Sequence, residues 1–137
     1  MSPRKPLTVL FDTNFLMVPI RFGVDVISEL DRLLEVIYHV TVLTPVIDEL
    51  YQLKKDAKPS DVKEFDFALN FASRLGTIKE SLYPGEDVDR LLIRISKENL
   101  WVVATTDSVL RARLREHSIP VIYLRQSKKL ALDGHLN

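Results

Sequence analysis

Four acids are placed where chemistry could be done: Asp12, Glu49, Asp89 and Asp107. Asp12 and Asp107 each follow a short apolar run, the second after Thr105-Thr106. Glu49 lies about one turn into a helix-like stretch that begins at Thr44-Pro45, and Asp89 follows the turn Pro84-Gly85. Carboxylates brought within a few ångströms of one another repel, so either some keep a proton above their ordinary range or a cation neutralises them. Oxygen-only donors suit Mg²⁺ or Mn²⁺ with bound waters. Such an ion can polarise a phosphoryl oxygen and activate water for in-line attack. Acids together with the nearby basic segment Ser108 to Glu116 therefore read as metal-dependent phosphodiester hydrolysis. Singly, each acid has a structural alternative. Asp12 could make a turn with Thr13 or Asn14, and Asp107 could cap the following helix. Asp87 and Asp89 could complement a helix N-terminus, and Glu49 could be solvated.

The elements that must position these acids alternate in type. Leu7 to Phe11 is a continuous apolar run, the pattern of a strand buried on both faces. Val26, Ile27, Leu30, Leu33, Leu34 and Ile37 predict a helix from about Asp25 to Ile37. Val40 to Leu43 is a second strand. Thr44 is expected to cap a helix reaching about Leu53, with Pro45 in its first turn. Ser60 is expected to cap another helix, ended by Gly76. Thr77 to Tyr83 is a weaker strand. Val88, Leu91, Leu92 and Ile95 form a helical stripe, Leu100 to Thr105 is the clearest strand, and Val121 to Tyr123 follows the basic helix. This order predicts an α/β fold, a three-layer α/β/α sandwich around a mostly parallel sheet of about five strands. Ligands of such sheets sit beyond the carboxyl ends of the strands, the edge where all four acids fall.

The chain has 137 residues and no cysteine, which excludes disulfides, thiolate zinc sites and cysteine nucleophiles. The length suits one domain over 1–137, with 125–137 as a loose tail. No run of about 18 apolar residues is present and no signal-peptide core opens the chain, so a cytoplasmic protein with no membrane contact is expected. A formal net charge of zero hides an asymmetry: 13 basic against 17 acidic residues up to Asp107, then six against two. Arg111 and Arg115, four apart on one helix, are candidates for phosphate contacts. His39, His117 and His135 show no ligand spacing, and Ser108 lacks a histidine partner. Trp101 reads as packing.

Four segments resemble the PIN domain (PilT N-terminus) family of metal-dependent nucleases. They are Leu10-Phe11-Asp12-Thr13-Asn14-Phe15, Thr44 to Leu50, Glu86 to Leu92 and Val102 to Asp107. They occur in the family's order and span residues 7 to about 124. The resemblance implies an endoribonuclease in which Asp12, Glu49, Asp89 and Asp107 are catalytic and hold Mg²⁺ or Mn²⁺. Asn14 and Thr105 match supporting polar positions. Many members carry adjacent acids in the third segment; here they are split as Asp87-Val88-Asp89, with Asp89 the preferred ligand and Asp87 the reserve. Within the family the chain looks most like compact archaeal and ribosomal-RNA-processing members, because Pro19 and Gly23 interrupt the stretch after Asp12. Toxin ribonucleases of toxin–antitoxin pairs are the rival, with an antitoxin as the implied partner in place of a processing partner. Phe15, Leu16, Met17, Val18 and Ile20 are a candidate homodimer surface. A noncatalytic RNA- or protein-binding module is the remaining alternative. A receiver-type domain fits poorly, since Thr13-Asn14 and Leu124-Arg125 stand where that class keeps paired acids and a lysine.

Overall fold

A computed structural model describes residues 5–136. Its centre is β1 (Leu7–Phe11), whose Val9, Leu10 and Phe11 are fully buried. Such a strand needs cover on both faces and a neighbour on each side. It pairs in parallel with β2 (Tyr38–Leu43) through Val9↔Val40 and with β4 (Val102–Ala104) through Phe11↔Ala104. Outside β2 lies β3 (Gly76–Ile78), and outside β4 lies β5 (Val121–Arg125), both parallel. The sixth strand, β6 (Lys129–Asp133), runs antiparallel along β5, giving the order β3-β2-β1-β4-β5-β6.

A short 3-10 turn, Phe15–Met17, leads into α1 (Val18–Phe22) and α2 (Val26–Leu33). Then come α3 (Thr44–Lys55), α4 (Val62–Ser73), α5 (Val88–Asn99) and α6 (Ser108–Glu116). α4 packs against α3 and α1, whereas α5 packs against α6 and β4. The chain moves from β1 outward to β3, then crosses to β4 and moves the other way. Right-handed crossovers place the two groups of helices on opposite faces. The three-layer α/β/α architecture with a mostly parallel sheet follows.

The sheet has six strands rather than about five. The stretch 125–137, read as a loose tail, instead carries β6 as far as Asp133. Polar turn residues and the short Leu-Ala-Leu run hid it, since its pairing is set by the hairpin and by α2. The Leu130 N–H bonds Glu29 Oε1 (2.9 Å), and Arg32 donates to the Leu130 carbonyl (2.9 Å). The helix expected to reach Ile37 stops at Leu33: Glu35 takes a left-handed φ of 28° and Ile37 is exposed. Gly76 opens β3 rather than merely ending a helix, and a Cβ there would lie 3.1 Å from the Val40 carbonyl. β3 ends at Ile78, short of the expected Tyr83. Thr44 does not cap α3. Its hydroxyl donates to the Glu80 carbonyl (3.1 Å) and accepts the Glu80 N–H (3.0 Å), pinning the chain after β3. α4 begins after Asp61, not at a Ser60 cap.

The apolar set after Asp12 is core, not a dimer surface. Phe15, Leu16, Met17 and Val18 are buried, the Phe15 ring meets Phe11 edge-on at 4.8 Å, and only Ile20 is exposed. α1 closes at Gly23, whose φ of 64° is left-handed and whose N–H bonds the Pro19 carbonyl (3.0 Å). No atom lies within 4 Å of a Cβ built there, so Gly23→Ala meets backbone strain alone. It is expected to lower stability by about 1–2 kcal/mol in denaturant unfolding. No helix among the described residues is long and apolar enough to cross a membrane.

Candidate active site

The direction of the strand order reverses at β1 and β4, and a crevice opens where their carboxyl ends part. Asp12 is the first residue beyond β1, with its N–H bonded to the Ala104 carbonyl (3.0 Å). Thr105 is the first residue beyond β4, with its N–H on the Ile122 carbonyl (3.0 Å). Two adjacent parallel strands therefore deliver Asp12 and Thr105 side by side. The Thr105 hydroxyl donates to Asp12 Oδ2 (2.8 Å) and accepts the Asp107 N–H (3.0 Å), while the Thr13 N–H donates to Asp12 Oδ1 (2.6 Å). Asn14 Oδ1 accepts the Thr106 N–H (3.1 Å), closing the loop after β4 onto the loop after β1.

Asp12 is 4% exposed. Burial pushes its carboxyl up from 3.8 to about 6, against the lowering pull of the Thr105 and Thr13 bonds, with Asp89 and Glu49 adding repulsion. Asp89 is half-buried, and its carboxyl is raised too. Burial is the main cause, followed by the charges of Asp107 and Asp87; Arg113 opposes and Glu49 adds a little. Asp89 sits in the first turn of α5, where the helix dipole favours a carboxylate, yet its pKa rises. The four acids thus share one electrostatic neighbourhood.

Asp107 and Asp87 each have a structural task as well. Asp107 Oδ1 accepts the N–H groups of Val109 (2.8 Å) and Leu110 (3.1 Å), which fixes it as the cap of α6. Exposed Asp87 caps α5 by accepting the Arg90 N–H (2.8 Å). Glu49 is half-buried on α3. Arg111 and Arg115 do not project as the expected phosphate contacts. Both bind Asp133, Arg111 Nε at 2.8 Å and Arg115 Nε at 3.2 Å, tying α6 to the end of β6. Arg113, off that face, is the arginine whose charge reaches Asp89. Sequence reasoning also passed over the Thr13 side chain, whose Oγ1 is buried with no hydrogen-bond partner. Its position directly after Asp12 was the available signal.

Among the described residues, no three His, Asp or Glu side chains gather into a cage for one ion. Mg²⁺ seldom uses such a cage; it is held by one or two carboxylates, several waters and substrate phosphate. The donor set fits that habit: all four candidates are carboxylates, and the two with raised pKa values are the ones an added cation would relieve.

A family described as a PIN-like domain matches residues 9–127. Ribonuclease VapC4 of Methanocaldococcus jannaschii is 31% identical over 126 residues, covering 90% of this chain and 94% of that protein. The solved structure of the PIN domain endonuclease Utp24 superimposes with a TM-score of 0.78 at 21% identity, covering 96% of this chain and 95% of that one. This second likeness is one of fold.

Proposed function

Because the chain belongs to the PIN-like domain family, we infer that it is an endoribonuclease whose acids at the β1–β4 crevice hydrolyse RNA phosphodiester bonds with a divalent metal ion. The observation that carries this is Asp12: a carboxyl buried at the strand-order reversal and pushed up to about 6, mainly by burial, with the charges of Asp89 and Glu49 adding to the rise. A bound cation would relieve that arrangement. Bound Mg²⁺ or Mn²⁺ would supply charge neutralisation at the phosphate and a more acidic water. Asp12, Asp89, Glu49 and Asp107 are the residues to hold it. Thr105 and the Thr13 N–H fix the Asp12 carboxylate in one orientation, and the start of α6 fixes Asp107. Asn14 locks the two strand-end loops together.

The test is a panel of labelled RNAs incubated with Mg²⁺, Mn²⁺ or EDTA. Internal cleavage with either metal, absent in EDTA, is expected. Cleavage that persists in EDTA overturns the metal dependence, and cleavage that persists in pure Asp12→Asn protein overturns the site. A processing role is supported by the break at Gly23, which keeps α1 to five residues. Isolation of the chain with a stoichiometric small inhibitor protein would replace it with the toxin reading.

Thr105→Val keeps the buried shape but strips a donor from Asp12 and an acceptor from the Asp107 N–H. Cleavage is expected to fall roughly 10–100-fold, the usual effect of losing a residue that orients a metal ligand. Thr105→Ser, which restores the hydroxyl, is expected to recover most of it. Cleavage rates of the two variants against the wild type decide this.

A further inference from the structure

We propose that the cavity between α1, α6 and the β5–β6 turn is a nucleobase subsite of the same centre, taking the base next to the phosphate held at the acids. The proposal rests on the endoribonuclease reading. The cavity is about 320 Å³, within the usual range of roughly 300–1,000 Å³ for small-ligand sites. Thr105, whose hydroxyl bonds Asp12, and Asp107 both line it, so it opens beside the acids.

Its walls suit a flat ring. Phe22 is 44% exposed although a phenyl ring gains by burial, and it lines the cavity at the end of α1, where left-handed Gly23 turns the chain. The other flat surface is a pair. The Arg111 guanidinium lies over the Tyr123 ring, 3.5 Å from its centroid, and the Asp133 carboxylate holds it at 2.8 Å. Arg111 is therefore a fixed plane with a partnered charge. Unpaired bases in RNA stack on aromatic rings and on such guanidinium planes. Exposed hydroxyls of Thr106, Ser108 and Ser127 stand at the margin for the base's polar edge. Ser127 is held there by a tight turn in which it and Gln126 both take left-handed φ values, 56° and 53°. A phosphate fits this cavity poorly, because Arg111 is already paired and Asp107 forms part of the wall.

The experiment uses single-stranded RNAs carrying 2-aminopurine at successive positions, titrated with the wild-type protein in Ca²⁺, an oxygen-bound cation that can neutralise the acids for the phosphate. Stacking quenches the probe. One position is expected to be quenched strongly, with binding roughly tenfold or more weaker in Phe22→Ser and near wild type in Phe22→Tyr. Arg111→Lys, which keeps the charge and loses the plane, is expected to weaken quenching as well. Thermal unfolding of each variant verifies folding. Absence of quenching at every position, or quenching indifferent to Phe22→Ser, overturns the subsite. Metal-dependent cleavage by the wild type, measured on the same RNAs, is read separately. Cleavage without Phe22-dependent quenching removes the subsite alone, and Phe22-dependent quenching without cleavage removes the nuclease reading while the base site stands.

Discussion

Asp12→Asn is expected to abolish cleavage and, without divalent ions, to make the protein more stable. Loss of a group that merely orients a metal ligand costs roughly 10–100-fold, and loss of a candidate ligand should exceed a hundredfold. The gain in stability follows from the direction of the pKa. In the folded chain the carboxyl titrates near 6 against an ordinary 3.8, so the folded state binds the proton more tightly. Well below 3.8 both states are protonated and nothing is lost. As pH rises from 4 through 6, folding must either retain the proton or bury the charge, and stability falls by up to about 3 kcal/mol. Asparagine never charges. Its amide can donate to Thr105 Oγ1, whose own proton can turn to Asn14 Oδ1 at 3.3 Å. Thermal unfolding in EDTA should show the variant well above the wild type at pH 7, and the two should converge at about pH 3. An equal gap at both pH values would remove the electrostatic explanation. Added Mg²⁺ or Mn²⁺ should raise the wild type and leave the variant nearly unmoved.

The second large effect separates two acids that lie two residues apart. Asp89→Asn is expected to lower cleavage at least roughly a hundredfold, while Asp87→Asn changes it only a few-fold. Asp89 is half-buried, and its carboxyl is raised by burial and by Asp107. Asp87 points its carboxylate back to the Arg90 N–H as a helix cap, a task asparagine performs about as well. Asp87→Ala is the matching control: about 1 kcal/mol less stable from the lost cap, with cleavage largely retained. Equal loss of cleavage in Asp87→Asn and Asp89→Asn would show that the pair acts as one charge cluster and not through Asp89.

Much of this architecture was legible because its signals are local. The run Leu7 to Phe11 declares a doubly covered strand, the stripe on α5 declares a helix, and an acid directly after a strand needs only the topology rule to be placed at the rim. What escaped depended on distant partners. β6 is specified by α2, through Glu29 and Arg32, about a hundred residues earlier. Arg111 and Arg115 looked like free cations because Asp133 belonged to a segment read as loose. Thr44 looked like a cap because nothing nearby announces Glu80 as its partner. The exposed-looking apolar run Phe15 to Val18 is core because the turn after Asp12 folds it directly under Phe11. In each case the residue type was informative, and its partner was a fact of the fold.

The pairing of β1 with β4 also has a consequence for the time at which the chemistry becomes available. Asp12 and Thr105 are 93 residues apart in sequence, and the bond between them closes a long loop. Such distant contacts are slow to form, because the chain entropy of a long loop is lost before the contact rewards it. β1, β2 and β3 can associate from the first 78 residues, with Asp12 and Glu49 already present but no Thr105 to orient the carboxylate and no Asp89 or Asp107 beside it. A chain folded only that far holds the acid pair without the residues that orient and neighbour it. Until the second half of the sheet docks, Asp12 has neither the hydroxyl that orients it nor the acids that neighbour it.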